Sequence, residues 1–403
     1  MSDLAADPAT STVTTRALLA EVDALVPQLV LWRRDLHAHP ETARTETRTT
    51  AFLRDTLRSR EIAVTDLPRT GLIADLGATE PRHRVALRAD LDALPVPERS
   101  ELSYASTVPD VCHACGHDVH TTVVLGAALA LKAIEPALIE RGIAVRFLFQ
   151  PAEEVMPGGA HELVEAGAMH GVDRVLAVHC DPSIDVGTVG LADGPITAAC
   201  DAIDVTLTGP GGHTSRPHLT ADLTFALAKV LTDLPAALSR RLDPRGGVAL
   251  VWGQIDAGNA ANVIPSTGHA LGTLRILDAE EWRRLDGLVE RLVQEIAAPY
   301  QVRAQVRHIR GVPPVVNDRA AVDLLRRAAS AAIGDGAVVP TRQSLGGEDF
   351  SWLLETCPGA MARLGTRTPG GHTYELHQGD LVIDEAAIGA GARMLAVAAL
   401  LSG

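Results

Sequence analysis

The most chemically reactive segment of the 403-residue sequence is residues 112–120, which holds two cysteines and three histidines. Thiolate and imidazole groups are donors that Zn²⁺-like ions prefer, and the glycine between Cys115 and His117 permits a tight backbone between two such donors. The Cys-x-x-Cys spacing of Cys112 and Cys115 also occurs in thioredoxin-like redox sites, and buried cysteines often only fill a core. The segment alone therefore leaves metal binding, thiol–disulfide chemistry and core packing open.

Carboxylates, an imidazole and a thiol follow three short apolar runs of the chain. The runs and their polar groups are 85–87 with Asp90 and Asp92, 143–149 with Glu153 and Glu154, and 175–178 with His179 and Cys180. Such runs are typical of buried strands in a parallel sheet, whose carboxyl ends meet at one edge. A lone histidine is usually a packing residue, but the convergence of these groups at one edge favours a metal-dependent hydrolase.

The adjacent carboxylates of Glu153 and Glu154 are the most informative pair in these groups. An isolated pair of glutamates is usually part of a solvated loop, whereas two carboxylates behind a buried strand cost free energy unless cations meet them. Consecutive residues of extended backbone point in opposite directions. One glutamate could therefore bind a metal while its neighbour faces a water molecule as a general base.

The order of the predicted elements indicates an α/β protein with an inserted domain. Up to residue 199, strands alternate with helical patterns such as 121–135, which ends before Pro136; this is typical of a layered α/β architecture. Between 200 and 311 the order becomes that of a ferredoxin-like unit, with strands at 202–208, 247–255, 268–276 and 302–309 and helices at 221–240 and 279–299. We therefore predict a catalytic domain formed by 1–199 and 312–403, interrupted by a ferredoxin-like domain at 200–311.

Composition and charge exclude several classes of partner. A net charge of −14 disfavours binding to nucleic acid or to an anionic membrane, because both need clustered cations. Lys132 and Arg393 interrupt the longest apolar stretches, and the polar, acidic N-terminus does not resemble a signal peptide. Five irregularly spaced cysteines do not indicate a disulfide framework. We therefore expect a cytoplasmic protein without nucleic-acid or membrane partners.

Seven motifs resemble, in order, those of the N-acyl-amino-acid amidohydrolases, the branch of the dinuclear metallopeptidase superfamily that includes hippurate and indole-acetyl-amino-acid hydrolases. They lie at 88–95, 114–120, 150–154, 211–218, 262–265, 272–275 and 347–350. The resemblance extends from about Trp32 to Asp384. It implies a mixed-sheet, zinc-peptidase-like catalytic domain and an inserted domain that serves as a lid and forms a homodimer.

The resemblance also implies roles for individual residues. Two divalent ions per subunit, Zn²⁺ or Mn²⁺ with Co²⁺ as an alternative, would be bound by Cys115 (placed between them), His117, Glu154, His179 and His377. His372 is an alternative to His377, because the residues after His377 depart from the family pattern. The other implied roles are general base for Glu153, oxyanion donor to the neighbouring subunit for His213, and binding of the substrate α-carboxylate for Asn262 and Arg275. Asp90 matches an Asp that orients a ligand histidine in the wider superfamily, but Arg88 occupies the place of that histidine, so Asp90 could instead hold another ligand or tune Glu153.

These observations predict a metal-dependent amidohydrolase that cleaves a small N-acyl amino acid into a carboxylate and a free amino acid. A dipeptidase or carboxypeptidase of the same superfamily is the nearest alternative, since one scaffold serves many amides. A thiol–disulfide enzyme based on Cys112 and Cys115 and a non-catalytic metal-binding module are alternatives of other classes. His120, one turn after His117, is expected to donate a ring N–H to a carboxylate.

Overall fold

The computed structural model describes residues 8–403. Its helices are α1 (Pro8–Ala38), α2 (Thr47–Ser59), α3 (His117–Ala133), α4 (Glu135–Glu140), α5 (Gly159–Glu165), α6 (Leu223–Arg241), α7 (Ala279–Arg284), α8 (Leu288–Ala297), α9 (Arg319–Ala332), α10 (Phe350–Leu354) and α11 (Ala386–Leu400). Its strands are β1 (Ala63–Asp66), β2 (Leu72–Gly77), β3 (His83–Asp90), β4 (Ile143–Gln150), β5 (Arg174–Asp185), β6 (Val189–Leu191), β7 (Gly194–Pro195), β8 (Ala199–Thr208), β9 (Gly212–His213), β10 (Ala249–Ala257), β11 (Val263–Ile264), β12 (Thr267–Ile276), β13 (Arg303–Val312), β14 (Val316–Asn317), β15 (Val338–Pro340) and β16 (Gly359–Arg367). Across residues 8–403, no helix is both long and apolar enough to cross a bilayer.

The chain forms two compact units. Of the described residues, the first contains 8–194 together with Asn317–Arg342 and Trp352–Gly403, and the second contains Pro195–Val316 and Gln343–Ser351. The predicted insertion at 200–311 lies inside the second unit. Residues 343–351 are grouped with that unit although the sequence places them in the catalytic domain, because the Ser344 N–H donates to the Ile196 carbonyl (2.9 Å) and the Gln343 amide to the Pro195 carbonyl (2.8 Å).

The first unit is an α/β structure on an eight-stranded mixed sheet, which confirms the predicted fold class. The strand order is β1-β2-β4-β3-β5-β16-β6-β15, and the central strands β4, β3, β5 and β16 run parallel. Helices α1, α3, α9 and α11 pack on one another beside this sheet. Helix α3 is buried from His117 to Leu131, which explains its Ala, Val and Leu content. The parallel strands carry their carboxyl ends to one edge, where the polar groups follow.

Two predicted boundaries in the first unit are wrong for reasons of tertiary structure. Strand β5 does not end at His179 but continues to Asp185, because β16 pairs with it in parallel as far as that residue. The helix predicted over 121–135 begins four residues earlier, at His117, where Gly116 adopts a left-handed conformation (φ 85°) at the N-cap. Pro136 does not end this helix but lies in the first turn of α4, a position that proline tolerates well.

The second unit has the strand and helix order of a ferredoxin-like fold. Its antiparallel sheet has the order β10-β12-β8-β13, and α6 and α8 pack against it. The helix predicted over 279–299 is divided into α7 and α8, since Gly287 has a positive φ of 65°. Strand β10 forms one edge of the sheet, and its Val251 and Ile255 side chains are 62% and 55% exposed.

Candidate active site

Cys115, His117 and His179 meet at the carboxyl edge of the first unit's sheet. Cys115 and His117 flank Gly116 at the start of α3, and His179 lies on β5. The Cys115 Sγ and His179 Nε2 atoms are 3.5 Å apart, and one donor atom from each of the three buried residues lies within 4.8 Å of the others. A side chain at Gly116 would meet Cys180 Sγ at 2.8 Å, so the close approach of α3 and β5 requires glycine.

Backbone carbonyl groups fix the proton position on two of these histidines. His117 Nδ1 is 2.8 Å from the Asp92 carbonyl oxygen, and His179 Nδ1 is 2.8 Å from the Cys180 carbonyl oxygen. A carbonyl oxygen only accepts, so both Nδ1 atoms donate and both Nε2 atoms are available as ligands. His117 Nε2 is buried and has no hydrogen-bond partner.

Glu154 and His377 extend this group. Glu154 Oε1 is also buried without a hydrogen bond; it is 3.8 Å from His117 Nε2 and 3.4 Å from His377 Nε2. His377 has a left-handed backbone (φ 63°) and donates its N–H to the Ala114 carbonyl at 2.7 Å. His372 instead packs its ring against Tyr374 and belongs to no such group among the described residues. Of the two late histidines, the structure therefore brings His377 into the cluster.

The electrostatics of the cluster favour a cation. Burial alone would lower the pKa of His117, but the nearby Asp90 carboxylate and Cys115 raise it well above its usual range. Burial raises the pKa of the Cys115 thiol and that of Glu154. Burial and the Arg363 guanidinium lower the pKa of His179, which keeps its imidazole neutral. An orphaned nitrogen, an orphaned carboxylate oxygen, a thiol and a neutral imidazole together fit a divalent metal ion.

Glu153 lies beside the group at a strand end. Its side chain is 9% exposed, and Oε2 is 3.9 Å from His117 Nε2. The Asp92 carboxylate accepts the Glu153 N–H through Oδ1 (3.0 Å) and the Glu154 N–H through Oδ2 (2.9 Å). The same Asp92 orients His117 through its carbonyl group, so one residue connects the glutamate pair to the start of α3.

Asp90 forms a separate buried network. Its Oδ2 accepts from Arg88 Nη1 (2.7 Å) and its Oδ1 from His120 Nδ1 (2.6 Å). The Cys180 N–H donates to His120 Nε2 (2.8 Å), so the His120 proton is on Nδ1, and His120 donates to a carboxylate as predicted. Burial would raise the pKa of Asp90, but Arg88, His117 and His120 hold it well below its usual range. Asp90 therefore stays ionised and holds His120 rather than accepting protons.

The remaining predicted residues, His213, Asn262 and Arg275, belong to the second unit. His213 is on β9, which pairs with β11 directly after Asn262, and the Thr214 N–H donates to the Asn262 carbonyl at 3.2 Å. His213 Nδ1 accepts the Ser215 N–H at 3.1 Å, so the ring proton of this exposed histidine is on Nε2. Arg275 donates from Nη1 to the Leu345 carbonyl at 2.6 Å.

Sequence reasoning misses Glu46, which contacts residues 152–154, the glutamate segment. Glu46 is fully buried, and its Oε1 accepts the Ala152 N–H at 2.8 Å. It stands in the polar run of residues 41–50, which has the composition of a solvated loop. Its distance of more than a hundred residues from Ala152 leaves no local signal for the contact.

Comparisons with known proteins agree with this geometry. Residues 86–400 match the sequence model of peptidase family M20/M25/M40. An N-acetyl-L-cysteine deacetylase of Bacillus subtilis is 38% identical over 368 residues, a match that covers 91% of this chain and 86% of the relative. A Rhodococcus jostii protein that bears the name of a glutamate–cysteine ligase is 47% identical over 369 residues, or 91% of this chain. The chain spans only 46% of the length of that protein.

A solved structure shows the same fold. The crystal structure of the YXEP protein of Bacillus subtilis, a dinuclear metal binding peptidase from the M20 family, is 32% identical in sequence. It superposes with a TM-score of 0.81 over 94% of this chain and 98% of that chain.

Proposed function

Since this chain belongs to peptidase family M20/M25/M40, a family of hydrolases that act on amide bonds, we propose that it hydrolyses N-acyl amino acids to a carboxylate and a free amino acid. The observation that carries the proposal is the buried group of Cys115, His117 and His179 next to Glu153 and Glu154. The name of the Bacillus subtilis relative, N-acetyl-L-cysteine deacetylase, supports the same substrate class.

We assign the divalent ions to five ligands. Cys115, His117, Glu154, His179 and His377 would hold them. The orphaned His117 Nε2 and Glu154 Oε1 atoms support the assignment, because each needs a partner that no described side chain supplies. Thiolate and imidazole donors favour Zn²⁺, with Mn²⁺ and Co²⁺ as alternatives. Such ions polarise a carbonyl group and acidify water when bound.

Glu153 is the proposed general base. Its carboxylate is nearly buried beside the ligand atoms, where it takes the proton of the attacking water. It then delivers that proton to the leaving nitrogen, so that the amino acid departs as an amine. Asp90 has a depressed pKa and is held by Arg88 and His120, which leaves this proton transfer to Glu153.

The second unit supplies the other proposed contacts. The Nε2–H of His213 is a suitable donor to the oxyanion of a neighbouring subunit, because Ser215 fixes the proton on that nitrogen. Asn262 and Arg275 would bind the α-carboxylate of the substrate. A guanidinium has five N–H donors, so the contact of Arg275 with Leu345 leaves donors for a carboxylate. The role of His213 requires a homodimer, and the exposed apolar side chains of the edge strand β10 support one.

The cysteines support the proposed compartment. All five are free thiols, and four of them are buried. Free thiols persist in reducing compartments, which supports the predicted cytoplasmic location.

A substrate panel tests the proposed function. The protein, loaded with Zn²⁺, Mn²⁺ or Co²⁺, is assayed with acetyl-, benzoyl- and indole-acetyl-amino acids, N-acetylcysteine and dipeptides. We expect hydrolysis of N-acyl amino acids and a loss of about 10²–10⁴-fold in turnover for Glu153→Gln with unchanged metal content. Glu140→Gln, at an exposed position, is the matched control. Cleavage of dipeptides alone, or near-normal turnover of Glu153→Gln, would contradict the proposal.

A further inference from the structure

Three consecutive backbone N–H groups of the glutamate segment are bound by two buried carboxylates. Asp92 accepts those of Glu153 and Glu154, and Glu46 accepts that of Ala152 at 2.8 Å. Glu46 and Asp92 are 0% and 1% exposed. The two carboxylates come from separate parts of the chain, since Glu46 directly precedes α2 and Asp92 follows β3.

Ala152 is held in a conformation that alanine disfavours. Its φ is +57°, in the left-handed region, which is unfavourable for a residue with a Cβ. The Gly159 N–H donates to the Ala152 carbonyl group at 2.9 Å. The backbone N–H and carbonyl group of Ala152 are therefore both hydrogen-bonded. A side chain at Gly159 would lie 1.9 Å from the Pro151 carbonyl oxygen, so the two segments approach as closely as glycine allows. The backbone turns at Ala152, directly before the two glutamates.

Glu46 is an expensive residue to bury for a merely structural contact. Its other side-chain oxygen accepts the Thr70 hydroxyl at 2.7 Å, so its hydrogen bonds come from neutral donors. Burying a carboxylate without a cationic partner is unfavourable, and hydrogen bonds from neutral donors offset this cost only in part. Its N–H partner lies one residue before the proposed general base, which is where a small displacement would affect the reaction most.

We propose that Glu46 is a positioning residue for the hydrolytic site. It holds the left-handed turn at Ala152. In this way it directs Glu153 towards the attacking water and Glu154 towards the other proposed metal ligands. The roles of Glu153 and Glu154 rest on the proposed function, whereas the contact between Glu46 and the turn does not. Without Glu46, Ala152 relaxes towards negative φ, and both glutamates move away from His117.

The test compares Glu46→Ala with variants that separate positioning from stability. We expect Glu46→Ala to lower kcat by about 10²-fold with a much smaller change in KM, as a displacement of about 1 Å does. We also expect weaker Zn²⁺ binding in a titration of the metal-free protein and faster amide hydrogen exchange at residues 150–155. Glu46→Gln should restore most of these properties, since its amide oxygen still accepts the Ala152 N–H.

Two further variants make the test specific. Ala152→Gly in the Glu46→Ala background should recover part of kcat, because glycine adopts positive φ without strain, although glycine lowers stability elsewhere. Glu41→Ala is the matched control: Glu41 accepts the Arg48 and Thr49 N–H groups at the start of α2, so its loss should lower the melting temperature without changing kcat. Thr70→Val, which removes one Glu46 contact, gives a milder loss in the same direction if Glu46→Ala does not fold.

The outcomes distinguish this proposal from the proposed function. If Glu46→Ala behaves like Glu41→Ala in kcat, Zn²⁺ binding and hydrogen exchange, or if Ala152→Gly recovers nothing, Glu46 is structural and the proposal is wrong. If the wild type hydrolyses none of the amides, the proposed function fails. Hydrogen exchange and Zn²⁺ titration still decide the role of Glu46 in that case.

Discussion

Among single side chains, the backbone decides which imidazole nitrogen faces the candidate metal centre. The carbonyl groups of Asp92 and Cys180 take the Nδ1 protons of His117 and His179, whereas a backbone N–H takes the Nε2 lone pair of His120. The third histidine therefore has no nitrogen left for a metal, although it lies close to the other two. Residue type alone does not separate these roles. What separates them is whether the nearby backbone group is a carbonyl acceptor or an N–H donor.

The two cysteines of the Cys-x-x-Cys motif have different proposed roles, although burial raises the pKa of both thiols. Burial raises the pKa of Cys112 to about 12, which opposes its use as a redox nucleophile, because such thiols need a lowered pKa. We expect Cys112→Ser to keep metal content and turnover. Cys115→Ser should lose more metal affinity than the ~10–100-fold that loss of an outer-shell partner causes. Elemental analysis and the amide assay on both variants check this, and inactivity of Cys112→Ser with full metal content would favour thiol chemistry.

At the level of elements, a buried ion pair joins α1 to α3, the helix that begins at His117. Arg33 of α1 contacts Asp118 of α3 at 2.7 Å, with side chains 1% and 0% exposed, and His37 donates to the same carboxylate oxygen at 2.8 Å. Burial would raise the pKa of Asp118, but Arg33 and His37 hold it well below its usual range. Asp118 directly follows His117, so this ion pair anchors the first turn of α3 to α1.

A double-mutant cycle tests that connection. Arg33→Met leaves the Asp118 carboxylate with its His37 contact, and Asp118→Leu leaves Arg33 with Glu385, which is 3.5 Å away. Each variant loses the shorter of the buried charge contacts, so we expect each to lower the free energy of unfolding by up to about 3–5 kcal/mol. The double variant should lose less than the sum of the two. Urea unfolding of the metal-free protein measures all three.

An exposed pair in the same unit serves as the control for the cycle. Arg54 and Asp66 are 2.7 Å apart with side chains 29% and 40% exposed, so Arg54→Met should cost less than about 1 kcal/mol. Additive effects of Arg33→Met and Asp118→Leu would show that the two side chains do not stabilise each other.

The elements show what the sequence does and does not determine. Apolar runs predict β3 and β4 and place Asp90, Glu153 and Glu154 at or just after their carboxyl ends. This works because a buried strand is recognised from the apolar side chains of its own residues. The extension of β5 past His179 depends on β16, nearly two hundred residues away, and has no local signal. The choice of His377 over His372 depends on a left-handed backbone and the Ala114 carbonyl, which are tertiary features. Glu46 is hidden for the same reason, since its burial comes from Ala152 and Thr70 rather than from its neighbours.

For the whole molecule, net charge and site charge have different consequences. The value of −14 disfavours polyanionic partners, yet two divalent ions would oppose the carboxylates and the thiolate of the proposed ligand set. A small anionic substrate is therefore compatible with an acidic protein. The chain also matches less than half of its Rhodococcus jostii relative, so a similar sequence occurs within a longer protein there.

The proposed role of His213 as an oxyanion donor to a neighbouring subunit requires a homodimer. Strand β10 leaves an apolar edge with Val251 and Ile255 exposed, and such edges pair readily with a second copy. We expect a homodimer that Val251→Lys with Ile255→Lys converts to a monomer, as measured by light scattering. The monomer should bind metal but lose turnover, because His213 then has no neighbouring site.

Complementation decides whether His213 acts across that dimer. Glu153→Gln removes the base but keeps His213, and His213→Ala keeps the base but removes the donor, so each homodimer should be nearly inactive. In a dissociated and reassociated equal mixture, half of the dimers are mixed, and each contains one site with both groups, which predicts about a quarter of wild-type activity. A mixture of two variants that both carry His213→Ala is the control and should stay inactive. If the mixed sample recovers nothing while light scattering shows that mixed dimers form, His213 does not act on the neighbouring subunit.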